Sequence, residues 1–229
     1  MNSLVTAARN ASASFTRRIR ISWRMIVAAF AFLIALIASY FAFRYFNYRN
    51  VQENFYGQAL VPASDAYNFH LIDQNGKAFQ LSQLRGKVVI FYFGFTHCPN
   101  ICPTTLTDLE KVYLALPDKA RRRVQIIFIT VDPERDNPEF MKKYISYFDP
   151  DFLGLTGSDD QVSKAASAYG ATFEKVHHPG EDWNVYFVNH SAFTYLINPD
   201  GKWELLYDFD KLHDTTRIVT DIERVLDNT

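Results

Sequence analysis

The sequence predicts an α/β domain carried behind a single N-terminal transmembrane helix. Three observations predict it. An uncharged apolar run lies near the start of the chain. Two continuous apolar, β-rich runs further on alternate with helical patterns. A late, turn-linked pair of strands then precedes a last helix.

The first element is residues 25–43, MIVAAFAFLIALIASYFAF, bracketed by Arg24 and Arg44. At about 1.5 Å per residue this run covers roughly 28 Å, close to the ~30 Å hydrocarbon core of a bilayer. It is longer than the apolar region of a cleaved signal peptide. It also ends in Tyr40, Phe41, Phe43, Tyr45 and Phe46, an aromatic belt suited to a membrane interface. A retained anchor is therefore expected. Arg9, Arg17, Arg18, Arg20 and Arg24 precede it, whereas only Arg44 and Arg49 lie close behind. The positive-inside rule keeps residues 1–24 on the cytoplasmic or matrix side. The rest then faces the periplasm or, if the basic, acid-free start is a mitochondrial presequence, the intermembrane space. Residues 44–64 carry little periodic pattern and read as a tether.

From residue 65 the signals become regular. Residues 67–72 are strand-like and end at the Asn75-Gly76 turn. Residues 87–95, KVVIFYFGF, read as a strand covered on both faces. A helix follows over 103–116, with Pro103 at its start and Pro117 at its stop. Residues 124–131, VQIIFITV, form a second buried strand, ending at DPERD, 132–136. Helices are expected over 138–148 and 159–169, and a hairpin over 173–188. A strand over 192–197 turns through Asn198-Pro199-Asp200-Gly201 into 202–207, and a last helix covers 214–226. Strand–helix–strand–helix followed by a late hairpin and helix is the thioredoxin-like arrangement, with parallel strands first and antiparallel edge strands later.

The formal net charge of −1 gives no electrostatic case for nucleic acid. Two cysteines cannot make a disulfide framework. Both, Cys98 and Cys102, lie in one loop at a strand's C-terminal end and a helix's N-terminus. A helix N-terminus lowers thiol pKa, so either sulfur can serve as nucleophile or metal ligand. The three-residue spacer can hold two sulfurs apart on one ion, and it does not forbid a disulfide.

Two thiolates suit a soft ion, Cu(I) above all, which often takes a further nitrogen ligand. Of six histidines, His70 and His213 fall away from the loop. His97 adjoins Cys98 too closely for easy joint ligation, and a hydrogen-bonding role fits it better. His177 and His178 form a polar pair at the expected hairpin tip. His190 precedes the late strand, at the position that faces the cysteine loop in a thioredoxin-like fold. Thiol-disulfide enzymes of that fold usually carry a cis-proline there; this chain has Asn189, His190 and Ser191. Ligation through His190 is the favoured reading, against a hydrogen-bonded histidine at a strand end.

CPNICP, DPERDNP and VNHSAFTYLINPDG, at these relative positions, resemble the Sco/SenC family over residues 65–226, single anchor included. The resemblance implies a membrane-tethered, thioredoxin-like copper-binding domain, here residues 65–229. It implies copper ligands Cys98, Cys102 and His190, with Asp132 near the site. It also implies a chaperone role, delivering copper to the dinuclear copper centre of cytochrome c oxidase. Expected partners are the oxidase's copper-site subunit, a copper donor and a thiol reductant, because an oxidising compartment closes Cys98 and Cys102 into a disulfide. The competing reading is a thiol-disulfide reductase, with Cys98 and Cys102 as its redox pair, keeping the oxidase's own cysteines reduced. A peroxide-reducing relative would need an arginine beside its cysteine, and the sequence offers no convincing one. The chaperone reading is not an enzyme; the competing one would carry thiol-disulfide oxidoreductase activity. A bacterial inner membrane with the domain in the periplasm is the expected location, a mitochondrial inner membrane the alternative.

Overall fold

The computed structural model describes residues 23–177 and 186–229, divided between Asn47 and Tyr48 into two compact units. Arg9, Arg17, Arg18 and Arg20, which carry the expected orientation, lie outside the described residues, as does His178.

Helix α1 spans Trp23–Asn54 and buries none of its side chains. Its best 18-residue window has a mean hydropathy of 2.5, and it is long and apolar enough to cross a membrane. At 1.5 Å per residue its 32 residues extend about 48 Å, so helix continues well past the apolar run.

The second unit contains strands β1 (Gln58–Asp65), β2 (His70–Asp73), β3 (Ala78–Gln80) and β4 (Val88–Gly94), then helices α2 (Ile101–Ala115) and α3 (Asp118–Arg121). Strand β5 (Val124–Thr130), helix α4 (Pro138–Ile145), strand β6 (Leu153–Thr156) and helix α5 (Asp159–Ala168) follow. Strands β7 (Phe173–His177), β8 (Tyr186–His190), β9 (Thr194–Ile197) and β10 (Lys202–Tyr207) lead to helix α6 (Thr215–Asp227). Eight strands form one sheet in the order β1-β10-β9-β4-β5-β6-β2-β3, while β7 and β8 pair separately. β4, β5 and β6 run parallel, and β9 and β10 add antiparallel strands on the other side of β4. This is the expected mixed α/β order; the short strand β6 was not anticipated.

All seven residues of β4 are buried, as an apolar run without alternation requires. Successive side chains take opposite faces. Phe91 stacks on Tyr195 at 5.0 Å and meets Tyr169 edge-on at 4.8 Å. Tyr92 and Gly94 share the other face and meet Cys102 of α2.

Residues 44–64, expected as a tether, instead carry the end of α1 and strand β1, which pairs antiparallel with β10. The register shifts between Ala59 and Ser64, and Pro62 sits in that bulge, so no alternation is visible in the sequence. The join is held by a buried carboxylate. Asp221 on α6 accepts the Tyr56 N–H at 3.0 Å, the Gly57 N–H at 2.8 Å and the Tyr207 hydroxyl at 3.0 Å. Asp221→Ala leaves all three donors without their acceptor. It is expected to lower the unfolding free energy by about 2–3 kcal/mol, read by denaturant titration against the wild-type chain. An unchanged midpoint would show that the join is held by packing alone.

Candidate metal centre

The site is built from three chain segments at one end of the sheet. The loop leaving β4 carries Cys98, the first turn of α2 carries Cys102, and the last residue of β8 is His190. Their donor atoms all lie within 4.8 Å of one another. Among the described residues no other group of three or more His, Cys, Asp or Glu side chains converges this way. Neither cysteine is in a disulfide.

The helix begins two residues earlier than the position of Pro103 suggests, so Cys102 lies inside its first turn. Its N–H is one of the donors that a helix start leaves without an intrahelical partner. The N-cap residue Asn100 supplies no side-chain cap. The Cys98 sulfur accepts this N–H instead, at 3.5 Å. The three-residue spacer therefore places Cys98 one helical turn before Cys102, where its sulfur caps the helix.

The two sulfurs are unequal. The Cys98 thiol is held well below its ordinary pKa, first by a hydrogen bond from the Cys102 thiol, then by His190 and by the Cys102 and Asn100 N–H groups; partial burial opposes this. The Cys102 thiol is pushed up, first by burial, then by its hydrogen bond to Cys98 and the negative charge there. Cys102 has no exposed surface, and Cys98 is half-buried.

His190 Nδ1 lies 3.1 Å from the Ser191 carbonyl, and Nε2 lies 3.4 Å from the Cys102 sulfur. A carbonyl can only accept, so Nδ1 carries a proton, and Nε2, the nitrogen turned towards the sulfurs, is the one whose lone pair a metal would take. Tyr92 and Phe95 meet the imidazole edge-on at 5.8 and 5.6 Å and restrict its rotation. The Tyr92 hydroxyl also lies 3.7 Å from the Cys102 sulfur. Gly94 makes room: a Cβ there would come within 2.8 Å of that sulfur.

The other described histidines do not join the centre. His97 takes the expected hydrogen-bonding role, 3.0 Å from the Thr96 hydroxyl and 3.6 Å from Asp136. His70 lies beside Asn68, His213 contacts Asp108 at 2.7 Å, and the His177 ring packs 5.5 Å from Tyr186. Asp132 is fully buried and bonded to Tyr186 and Arg135. Asp136, which the sequence reading passed over, is equally buried. It accepts the Thr96 N–H at 2.9 Å, the Thr96 hydroxyl at 2.5 Å and the Thr130 hydroxyl at 2.6 Å. The one available sequence signal for Gly94 was its place at the end of an apolar strand, where glycine marks a close approach.

Two soft sulfur donors and an imidazole with Nε2 facing them suit a soft metal ion, and the half-buried Cys98 leaves access. The fold and site define a thioredoxin-fold protein built around a thiol–thiol–imidazole centre. The SCO1/SenC family model matches residues 59–227, and the chain belongs to that family. An SCO2-like protein of Rickettsia conorii is 41% identical over 136 residues, covering 59% of this chain and 65% of the relative. The chain thus matches just under two thirds of that relative's length. The solution structure of apo Sco1 from Thermus thermophilus is 43% identical with a TM-score of 0.68, covering 75% of this chain and 96% of that one. Yeast Sco1 with copper bound is 38% identical with a TM-score of 0.64, covering 72% and 90%. BsSco, described with a disulfide switch and as a member of the Sco family of cytochrome c oxidase assembly proteins, is 28% identical with a TM-score of 0.57, covering 73% and 96%.

The inequality of the sulfurs has a chemical readout. In the reduced, metal-free chain, iodoacetamide is expected to modify Cys98 first and to do so well below pH 8.5, where an ordinary thiol slows about tenfold per pH unit. Cys102 should remain unmodified until the fold opens. Peptide mapping by mass spectrometry across pH 5–9 checks this, and equal labelling of the two would contradict the assignment.

Proposed function

We propose that this chain is a membrane-anchored copper chaperone for cytochrome c oxidase assembly. It holds Cu(I) through Cys98, Cys102 and His190 and passes it to the oxidase's dinuclear copper centre. The observation that carries the reading is the convergence of three donors with His190 Nε2 turned towards the sulfurs. Copper bound to the yeast relative and the assembly role given for BsSco support it. Cys98 is the accessible donor, so an incoming thiolate of the recipient approaches from its side while buried Cys102 stays in place. The partners are the copper-site subunit of the oxidase, a copper donor and a reductant that keeps both sulfurs as thiols. The anchor is α1, in a bacterial inner membrane with the domain in the periplasm, or in the mitochondrial inner membrane facing the intermembrane space.

Copper titration of the reduced full chain is expected to end at about one Cu(I) per chain, with X-ray absorption reporting two sulfurs and one nitrogen. His190→Ala should weaken Cu(I) binding by more than about 100-fold in chelator competition, beyond the ~10–100-fold effect of residues that only support a ligand. Unchanged affinity in that variant would sink the site. Closing Cys98 and Cys102 into a disulfide removes both thiolates, so the oxidised chain should take up no copper until it is reduced.

The half-buried Cys98 thiolate beside a buried thiol also suits disulfide exchange, with Cys98 as the attacking sulfur. A reductase acting on the oxidase's copper-site cysteines is the second reading. Turnover of a mixed disulfide that survives His190→Ala but not Cys98→Ser would favour it over copper delivery.

A further inference from the structure

β7 and β8 form a two-stranded sheet of their own, and such a pair is at best marginally stable without outside support. The third donor of the centre sits at the end of β8, so something must hold that strand. At the His190 end, the Ser191 N–H reaches the Thr172 carbonyl at 2.9 Å and the Thr172 N–H reaches the Ser191 hydroxyl at 3.1 Å. At the other end stands Tyr186. Its hydroxyl donates to Asp132 at 2.7 Å and lies 3.3 Å from Glu134. The Arg135 guanidinium lies 3.8 Å from its ring centre, and Arg135 Nη1 donates to the Tyr186 carbonyl at 3.1 Å. Lys175 on β7 pairs with Glu134 at 2.7 Å. Arg135 also pairs with Asp132, so a single loop, residues 132–136, grips the strand by its side chain and its backbone.

We propose that Tyr186, latched by Asp132 and Arg135, is a positioning residue for His190, setting where the imidazole stands relative to the two sulfurs. This rests on the copper-site reading above. Both Asp132 oxygens are engaged, Oδ1 by Tyr186 and Oδ2 by Arg135, which assigns this buried carboxylate to the hairpin rather than to the metal. Tyr186 lies four residues from His190, about 13 Å along the strand, so it acts through β8 and touches no donor. The same loop holds the other half of the site: Asp136 takes the N–H and hydroxyl of Thr96, two residues before Cys98. Residues 132–136 therefore fix the cysteine loop and the histidine strand to one point at the end of β5.

The test uses the full chain and the conservative variant Tyr186→Phe, which keeps the ring against Arg135 and loses the hydroxyl, with Asp132→Asn as a second variant. In the metal-free protein, hydrogen exchange over residues 188–191 should speed up while exchange in β4 and β5 stays unchanged. Cu(I) affinity should fall by about 10–100-fold in Tyr186→Phe. In a His190→Ala background the same change should cost no further affinity, because the latch acts only through the imidazole. Unchanged exchange and affinity in both variants would overturn the proposal, as would an equal affinity loss with and without His190. If His190→Ala itself leaves copper binding intact, the copper reading fails, and the exchange measurement still decides the latch.

Discussion

Two carboxylates with no exposed surface, Asp132 and Asp136, hold the candidate metal centre together. Each ends up at the C-terminal edge of β5, in the loop that leaves the sheet's most buried region. Burying a carboxylate is costly unless donors surround it. Asp136 is met by one N–H and two hydroxyls, Asp132 by a phenol and a guanidinium. Among those donors, Thr96 belongs to the loop that bears the cysteines and Tyr186 to the strand that bears the imidazole. The requirement to satisfy two buried charges thus becomes a requirement that the two halves of the site meet. Removing either carboxylate would leave several donors unmatched at once, which ties the site's geometry to the folding of the domain.

The cysteine spacing is understood in the same terms. With three residues between them, Cys98 and Cys102 stand one helical turn apart, and the first sulfur takes over the cap that Asn100 does not supply. Helix start, thiolate and metal donor are one arrangement. Gly94 belongs to it as well, since any side chain there would collide with the buried Cys102 sulfur. The inequality of the two thiols follows from position: one sulfur is covered completely, the other receives hydrogen bonds and remains accessible.

Much of the fold was legible because its strongest signals are local. The unbroken apolar runs of β4 and β5 announced strands covered on both faces, and the Pro and Gly punctuation around α2 and β10 placed their ends within two residues. The candidate donors Cys98, Cys102 and His190 could be singled out because motif spacing and fold placement agreed, and the structure brings them together. Strand β1 was not legible: a bulge and Pro62 erase its alternation, and its pairing with β10 is a contact across most of the chain. β6 is too short to show a period. Asp132 could be placed near the site but given no task, because its partners Tyr186 and Arg135 carry no pattern that marks a hydrogen bond 54 positions away.

The site's construction is also uneven in stiffness. The sulfurs stand on the central sheet and a 15-residue helix, whereas the imidazole stands on a separate two-stranded pair. A donor on a marginal element is held by its tethers and is the first to leave when they loosen. Under the copper-delivery proposal that division would be functional: the thiols would give affinity, and the hairpin would decide whether the third ligand is present. A recipient that contacts the face formed by Lys175, Glu134 and Tyr186 would compete with the latch itself. It would weaken the His190 ligand without touching the metal. On that proposal, retention and release would be two settings of one hydrogen-bonded loop, with the buried Cys102 holding the ion while the setting changes.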